Sequence, residues 1–114
     1  MTRLEDILEK VTSYNPSANL DTIKKAYVFS AEVHQGQIRL SGEPYMTHPI
    51  EVASILTDMR MDPVTIATGL LHDTVEDTHT TLETIKETFG EEIASLVDGL
   101  TNISRITFDS RETH

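Results

Sequence analysis

The residues best suited to chemistry in this 114-residue chain stand together, in His72-Asp73-Thr74-Val75-Glu76-Asp77. Four of the six can bind a metal or move a proton, and they fall as two adjacent pairs four positions apart. On a helix, His72 and Glu76 lie one turn apart on one strip, and Asp73 and Asp77 lie on the next. One short segment can thus direct an imidazole and three carboxylates toward a common cavity. The apolar run Val64-Thr65-Ile66-Ala67-Thr68-Gly69-Leu70-Leu71 precedes it and would anchor it in a core. Ionisable groups leaving a buried helix are costly unless a cation satisfies them, so a metal site is the first expectation. His72 and Asp73 leave a helix roughly 100° apart. A long imidazole and a short carboxylate still converge on one ion from the end of a helix.

Such a site needs a second histidine, and His34, His48 and His79 are the internal candidates. His48, beside Pro49 at a helix start, is best placed to project into a cleft. His34 lies on an apolar helix face and reads as a hydrogen-bonded core histidine, and His79 reads as exposed. Two imidazoles and one carboxylate form a nitrogen and oxygen site suited to manganese, iron, zinc or a similar ion. Such an ion would acidify water and neutralise a phosphoryl oxygen. Glu76 and Asp77 would then orient that water or pass its proton; the alternative is a solvated acidic turn. Arg39 is the only Lys or Arg between Lys25 and Arg60. It sits in a polar loop with Ser41 and Tyr45, where it could contact a phosphate or a base; the alternative is an ordinary exposed loop arginine.

Helices must position these groups. Thr2–Val11 reads as the first, with Thr2 and Glu5 as a capping box and Asn15-Pro16 as the stop. The second runs from about Asp21 to His34 with Gly36 following, and residues 37–47 form the one substantial loop. The third begins near His48-Pro49 with Thr47 as N-cap, and buries Pro49, Val52, Ala53, Leu56 and Met59. Asp62-Pro63 restarts the chain as cap and first helical residue. The fourth helix ends around the His72–Asp77 segment. Thr80 and Glu83 form a second capping box ahead of Leu82, Ile85, Phe89 and the stop at Gly90. A last helix carries Ile93, Leu96, Val97 and Leu100 inward. The expectation is one all-α domain of about six helices.

Composition narrows the function. The formal net charge of −10, with Lys86 the only Lys or Arg between Met61 and Ser104, argues against DNA or RNA backbone as the main partner. A phosphorylated small molecule can still bind if a divalent cation stands between. No run is long and apolar enough for a membrane span. The absence of cysteine excludes disulfides and thiolate metal sites and fits a cytoplasmic protein.

Three stretches carry a family resemblance: AYVFSAEVHQGQIRLSGEPYMTHPIEVASIL, MDPVTIATGLLHDTVEDT and FGEEIASLVDGLTNIS. From about Leu20 to Ile106 the chain resembles the N-terminal hydrolase domain of the RelA/SpoT family. These are bifunctional enzymes that make and destroy guanosine tetra- and pentaphosphate, the stringent-response alarmones. The small single-domain alarmone hydrolases are similar too. The resemblance implies an HD-superfamily helical bundle that binds Mn²⁺ and hydrolyses the 3′-pyrophosphate, releasing GDP or GTP and pyrophosphate.

By position, the resemblance implies His48, His72 and Asp73 as metal ligands and Glu76 and Asp77 as the catalytic acidic pair. It implies Arg39, Leu40, Ser41 and Tyr45 as the loop around the guanine, and places His34 at a recurring position that is not a ligand. Leu40 stands where many relatives carry a basic residue. The family's fourth ligand, an aspartate in a later stretch resembling LADRLHNM, has no counterpart here, nor does a synthetase domain. Residues 1–114 are therefore expected to be a partial, C-terminally truncated hydrolase domain, its uncovered apolar surface open to self-association. Two alternatives stand beside this: a phosphohydrolase of another nucleotide, and a non-catalytic helical module that binds a nucleotide or a partner protein.

Overall fold

Six consecutive residues, Ile66 to Leu71, are all buried in the computed structural model, which describes residues 3–35 and 46–100. A helix buried all round belongs in the interior rather than on the surface. The rest of the chain is arranged around it. In order, the helices are α1 (Leu4–Tyr14), α2 (Asp21–Val33), α3 (Thr47–Asp58), α4 (Pro63–Leu71), α5 (Thr74–Asp77) and α6 (Leu82–Phe89), with residues 91–100 forming α7. No strand occurs among the described residues, as expected of an all-α chain. The fourth predicted helix is divided into α4 and α5.

The buried helix α4 packs against both α2 and α3, and α1 lies against the same two. The core joins Ile7 and Val11 of α1, Ile23 and Ala26 of α2, and Ile50 and Ala53 of α3 to Ile66, Ala67, Leu70 and Leu71 of α4. Ile85 of α6 and Ile93, Ala94 and Val97 of α7 complete it. Phe29 and Phe89 meet edge to face with ring centroids 5.5 Å apart, and Lys25 Nζ donates to the Thr88 carbonyl at 2.7 Å. These contacts hold α6 to α2.

Gly69 sets how closely α3 and α4 approach. A Cβ there would lie 2.6 Å from Leu56 Cδ1 and 3.4 Å from Val52 Cγ1. Alanine would trade about 1 kcal/mol of helix preference against displacing one leucine methyl. Valine adds two further carbons at a buried contact, and overpacking of that kind typically costs about 1–3 kcal/mol. Gly69→Val is therefore expected to lower unfolding free energy by about 3 kcal/mol, measured by urea denaturation. A loss below about 0.5 kcal/mol would show that the two helices separate freely.

The caps show how local chemistry sets boundaries. Asp62 accepts from the Thr65 N–H at 3.1 Å, with Pro63 opening α4, as the sequence suggested. At α1, Asp6 accepts from the Arg3 N–H at 2.9 Å; the predicted Thr2–Glu5 box falls partly outside the described residues. Thr47 is already helical, with Met46 in the cap position, and is not the N-cap. Thr81, not Thr80, caps α6, accepting from the Thr84 N–H at 3.2 Å. Thr80 is engaged elsewhere: its N–H donates to Thr78 Oγ1 at 3.0 Å, and the two hydroxyls bond at 2.7 Å.

Met59, expected inside, is 58% exposed. It follows the last residue of α3, just before Arg60 turns the chain with φ +58°. A left-handed residue after a helix is ordinarily glycine, and a side chain there costs about 1–2 kcal/mol. Tyr14 Oη donates to the Met61 carbonyl at 2.5 Å, and Lys10 pairs with Asp58. Both contacts tie the end of α1 to the corner between α3 and α4. Burial and the nearby Asp62 charge raise the Tyr14 pKa.

Candidate metal centre

The ends of two helices meet at His48, His72 and Asp73. His48 stands in the first turn of α3 beside Pro49 and Ile50, which are buried. His72 and Asp73 lie between α4 and α5, with backbone angles of −59°, −30° and −90°, −10°. Both pairs of angles are right-handed helical, so the path bends little although the helix is interrupted. Thr74 is fully buried, and its hydroxyl donates to the Leu71 carbonyl at 2.8 Å, securing the junction.

One backbone carbonyl orients the first imidazole. His72 Nδ1 lies 2.7 Å from the Gly69 carbonyl and donates to it, which directs Nε2 outward. That nitrogen is 2.9 Å from Asp73 Oδ1, and Asp73 Oδ2 is 3.5 Å from His48 Nε2. The two rings are 5.6 Å apart at 57°. One donor atom from each residue lies within 4.8 Å of the others. An ion with ligand distances of about 2.0–2.2 Å spans such a set with small side-chain shifts. A histidine whose other nitrogen bonds a carbonyl is the arrangement metal-binding imidazoles adopt. The donor set therefore fits a divalent ion. Asp73 is the least exposed side chain of the three at 14%, and His48, at 39%, leaves the site open to solvent.

Burial alone would lower the His72 pKa, but the hydrogen bond and charge of Asp73, the Gly69 carbonyl and the Glu76 charge together raise it. Burial alone would raise the Asp73 carboxyl, but His72, His48 and His34 together hold it below the usual range. His34 is 3% exposed, and its Nδ1 bonds the Ser30 carbonyl at 2.9 Å. The core placement expected from the sequence thus describes His34. What periodicity did not reveal is that its ring lies close enough to act on Asp73.

The two pKa shifts set a pH dependence. The raised His72 pKa stabilises the metal-free fold fully below the ordinary imidazole value of 6.5, and that contribution fades as pH rises through the folded value. The lowered Asp73 pKa stabilises it above 3.8 and fades as pH falls through the folded value. The pair therefore helps the metal-free fold most between those limits. A metal ion needs the neutral imidazole and must displace a proton. The rise in melting temperature on adding Mn²⁺ should accordingly grow from about pH 6 to about pH 8. A gain that shrinks over that range would remove His72 from the donor set.

The remaining candidates are placed as follows. Glu76 is exposed on α5 and lines a cavity of about 670 Å³ with Phe29, Val33, Thr78, His79, Thr80 and Thr84. His79 is exposed, as expected, and is not gathered with the other donors. Asp77 closes α5, and its side chain lies outside what the structure describes. Arg39, Leu40, Ser41 and Tyr45 also lie outside the described residues.

The family model described as "HD domain" matches residues 26–114. A GTP pyrophosphokinase of Myxococcus xanthus is 58% identical over 97 residues, covering 85% of this chain and 13% of its own. A guanosine-3′,5′-bis(diphosphate) 3′-pyrophosphohydrolase of Aquifex aeolicus is 49% identical over 109 residues, covering 96% and 16%. The GTP pyrophosphokinase rsh of Brucella melitensis is 46% identical over 112 residues, covering 98% and 15%. The chain belongs to the HD-domain family. Within it, the chain is a RelA/SpoT-type HD domain. It spans about one-seventh of the length of these curated relatives. Among the described residues, no helix is long and apolar enough to cross a membrane.

Proposed function

We propose that this chain hydrolyses the 3′-pyrophosphate of guanosine tetra- and pentaphosphate in the cytoplasm, as part of stringent-response alarmone turnover, with Mn²⁺ as the divalent ion. The observation that carries the reading is Asp73, set between two imidazoles from different helices. Likeness to the Aquifex pyrophosphohydrolase supports the choice of substrate.

His48, His72 and Asp73 would hold the ion. When bound, it supplies Lewis-acid charge and lowers the pKa of water. Glu76, exposed one turn beyond His72, would orient the attacking water and accept its proton, with Asp77 as its companion. In the reaction a water oxygen bonds to phosphorus, the bond from that phosphorus to the ribose 3′ oxygen breaks, and the proton taken from the water passes to that 3′ oxygen, giving GDP or GTP and pyrophosphate. Arg39, Leu40, Ser41 and Tyr45 would hold the guanine and its phosphates.

The test is an assay with guanosine tetraphosphate and Mn²⁺, products separated, beside His72→Ala. Release of GDP and pyrophosphate by the unmutated chain alone is the expected result. Equal rates on GTP would indicate a phosphohydrolase of broader range. No turnover, with metal shown to bind, would reduce this chain to a binding module.

A further inference from the structure

The far end of α3 carries a second polar cavity. It measures about 500 Å³ and is lined by Lys10, Ser13, Tyr14, Thr57, Asp58 and Arg60. His48 and Asp58 stand ten positions apart on α3, roughly 15 Å at the rise of a helix. The cavity is therefore separate from the metal centre and is connected to it by one rigid element.

Its charge is unusual for this chain. The protein carries 19 acidic residues against nine Lys and Arg, yet two cations and one carboxylate line this cavity. Lys10 pairs with Asp58, which leaves Arg60 as the uncompensated charge among the lining groups. Asp62, the other carboxylate near Tyr14, is engaged with the Thr65 N–H. The Arg60 side chain makes no ion pair among the described residues. Arg60 also holds φ +58°, where glycine would be at ease. A strained arginine at the mouth of a cavity, where the backbone alone would favour glycine, points to a use for its guanidinium.

We propose that this cavity binds a phosphate-bearing small molecule. The Arg60 guanidinium would take two phosphoryl oxygens, a geometry to which its planar fork is suited. Lys10 would add a second cation and the Tyr14 ring an apolar wall. The volume is within the range of small-molecule pockets.

The test uses inorganic pyrophosphate as the probe, added to the ¹⁵N-labelled chain in EDTA, with sodium chloride at matched ionic strength as the control. Saturable shifts at the amides of Ser13, Tyr14, Thr57 and Asp58 are expected with pyrophosphate and not with chloride. Arg60→Gly removes the guanidinium while relieving the backbone, so it should melt no lower than the unmutated chain. It should also lose about ten-fold or more in pyrophosphate affinity. Arg60→Lys should recover part of that loss. Shifts confined to the surroundings of His48 and His72, shifts reproduced by chloride, or affinity unchanged in Arg60→Gly would each overturn the proposal.

Discussion

Asp73→Asn is expected to weaken Mn²⁺ binding by at least about 100-fold and to abolish metal-dependent hydrolysis while leaving the fold intact. Loss of groups that merely support metal ligands costs about 10–100-fold, and Asp73 itself offers a donor atom within 4.8 Å of the two imidazoles. Asparagine keeps the shape of the side chain but removes the charge that faces both imidazoles, at 2.9 Å and 3.5 Å. Isothermal titration with Mn²⁺ measures the first effect and product release the second. A third readout needs no metal. The His72 pKa should fall relative to the unmutated chain, because burial then opposes the imidazolium with less to offset it. A proton NMR titration of the ring would show this. Metal affinity within a factor of about three of the unmutated chain would exclude Asp73 as a ligand.

The second large effect belongs to the core. Leu70 is 1% exposed within the all-buried stretch, and α4 packs on both α2 and α3. Leu70→Ala should cost about 2–5 kcal/mol, a large share of the roughly 5–15 kcal/mol that holds a typical domain together. The melting temperature should fall steeply, and Mn²⁺ should recover part of the loss by binding only the folded chain. A cost under about 1 kcal/mol would mean the core collapses readily around the missing atoms.

The fold was largely readable in the sequence because each helix carries its own signals. Asp62-Pro63 opened α4, Asn15-Pro16 closed α1, and the apolar run ahead of His72 marked the buried helix. Misplaced boundaries arose where a second local bond competed. Thr80 has the side chain of a cap, but Thr78 captures it, and the cap moves to Thr81. Met59 fits the apolar stripe of α3 but follows its last residue, just before the left-handed turn at Arg60, which no periodicity announces.

The candidate site was readable in type rather than in arrangement. His72 and Asp73 stood out by their neighbours in the chain. His48 stood out by its place beside Pro49 at a helix start, but the distances at which it meets them depend on how α3 packs on α4 around Gly69. The influence of His34 on Asp73 is likewise a product of packing, since its own helix face reads as ordinary core.

The buried helix beneath the metal centre has a consequence for how the domain comes apart. Amides near Gly69, Leu70 and Leu71 sit in the part of the protein expected to exchange with solvent only through global opening. Because the Gly69 carbonyl orients His72, the candidate centre is anchored to this helix, and loss of the helix disperses its donors. Metal supply would then govern the lifetime of the folded chain as well as its chemistry. Hydrogen exchange at those three amides should slow with rising Mn²⁺ concentration in step with global stability, so that metal scarcity reaches a protease as an unfolded substrate.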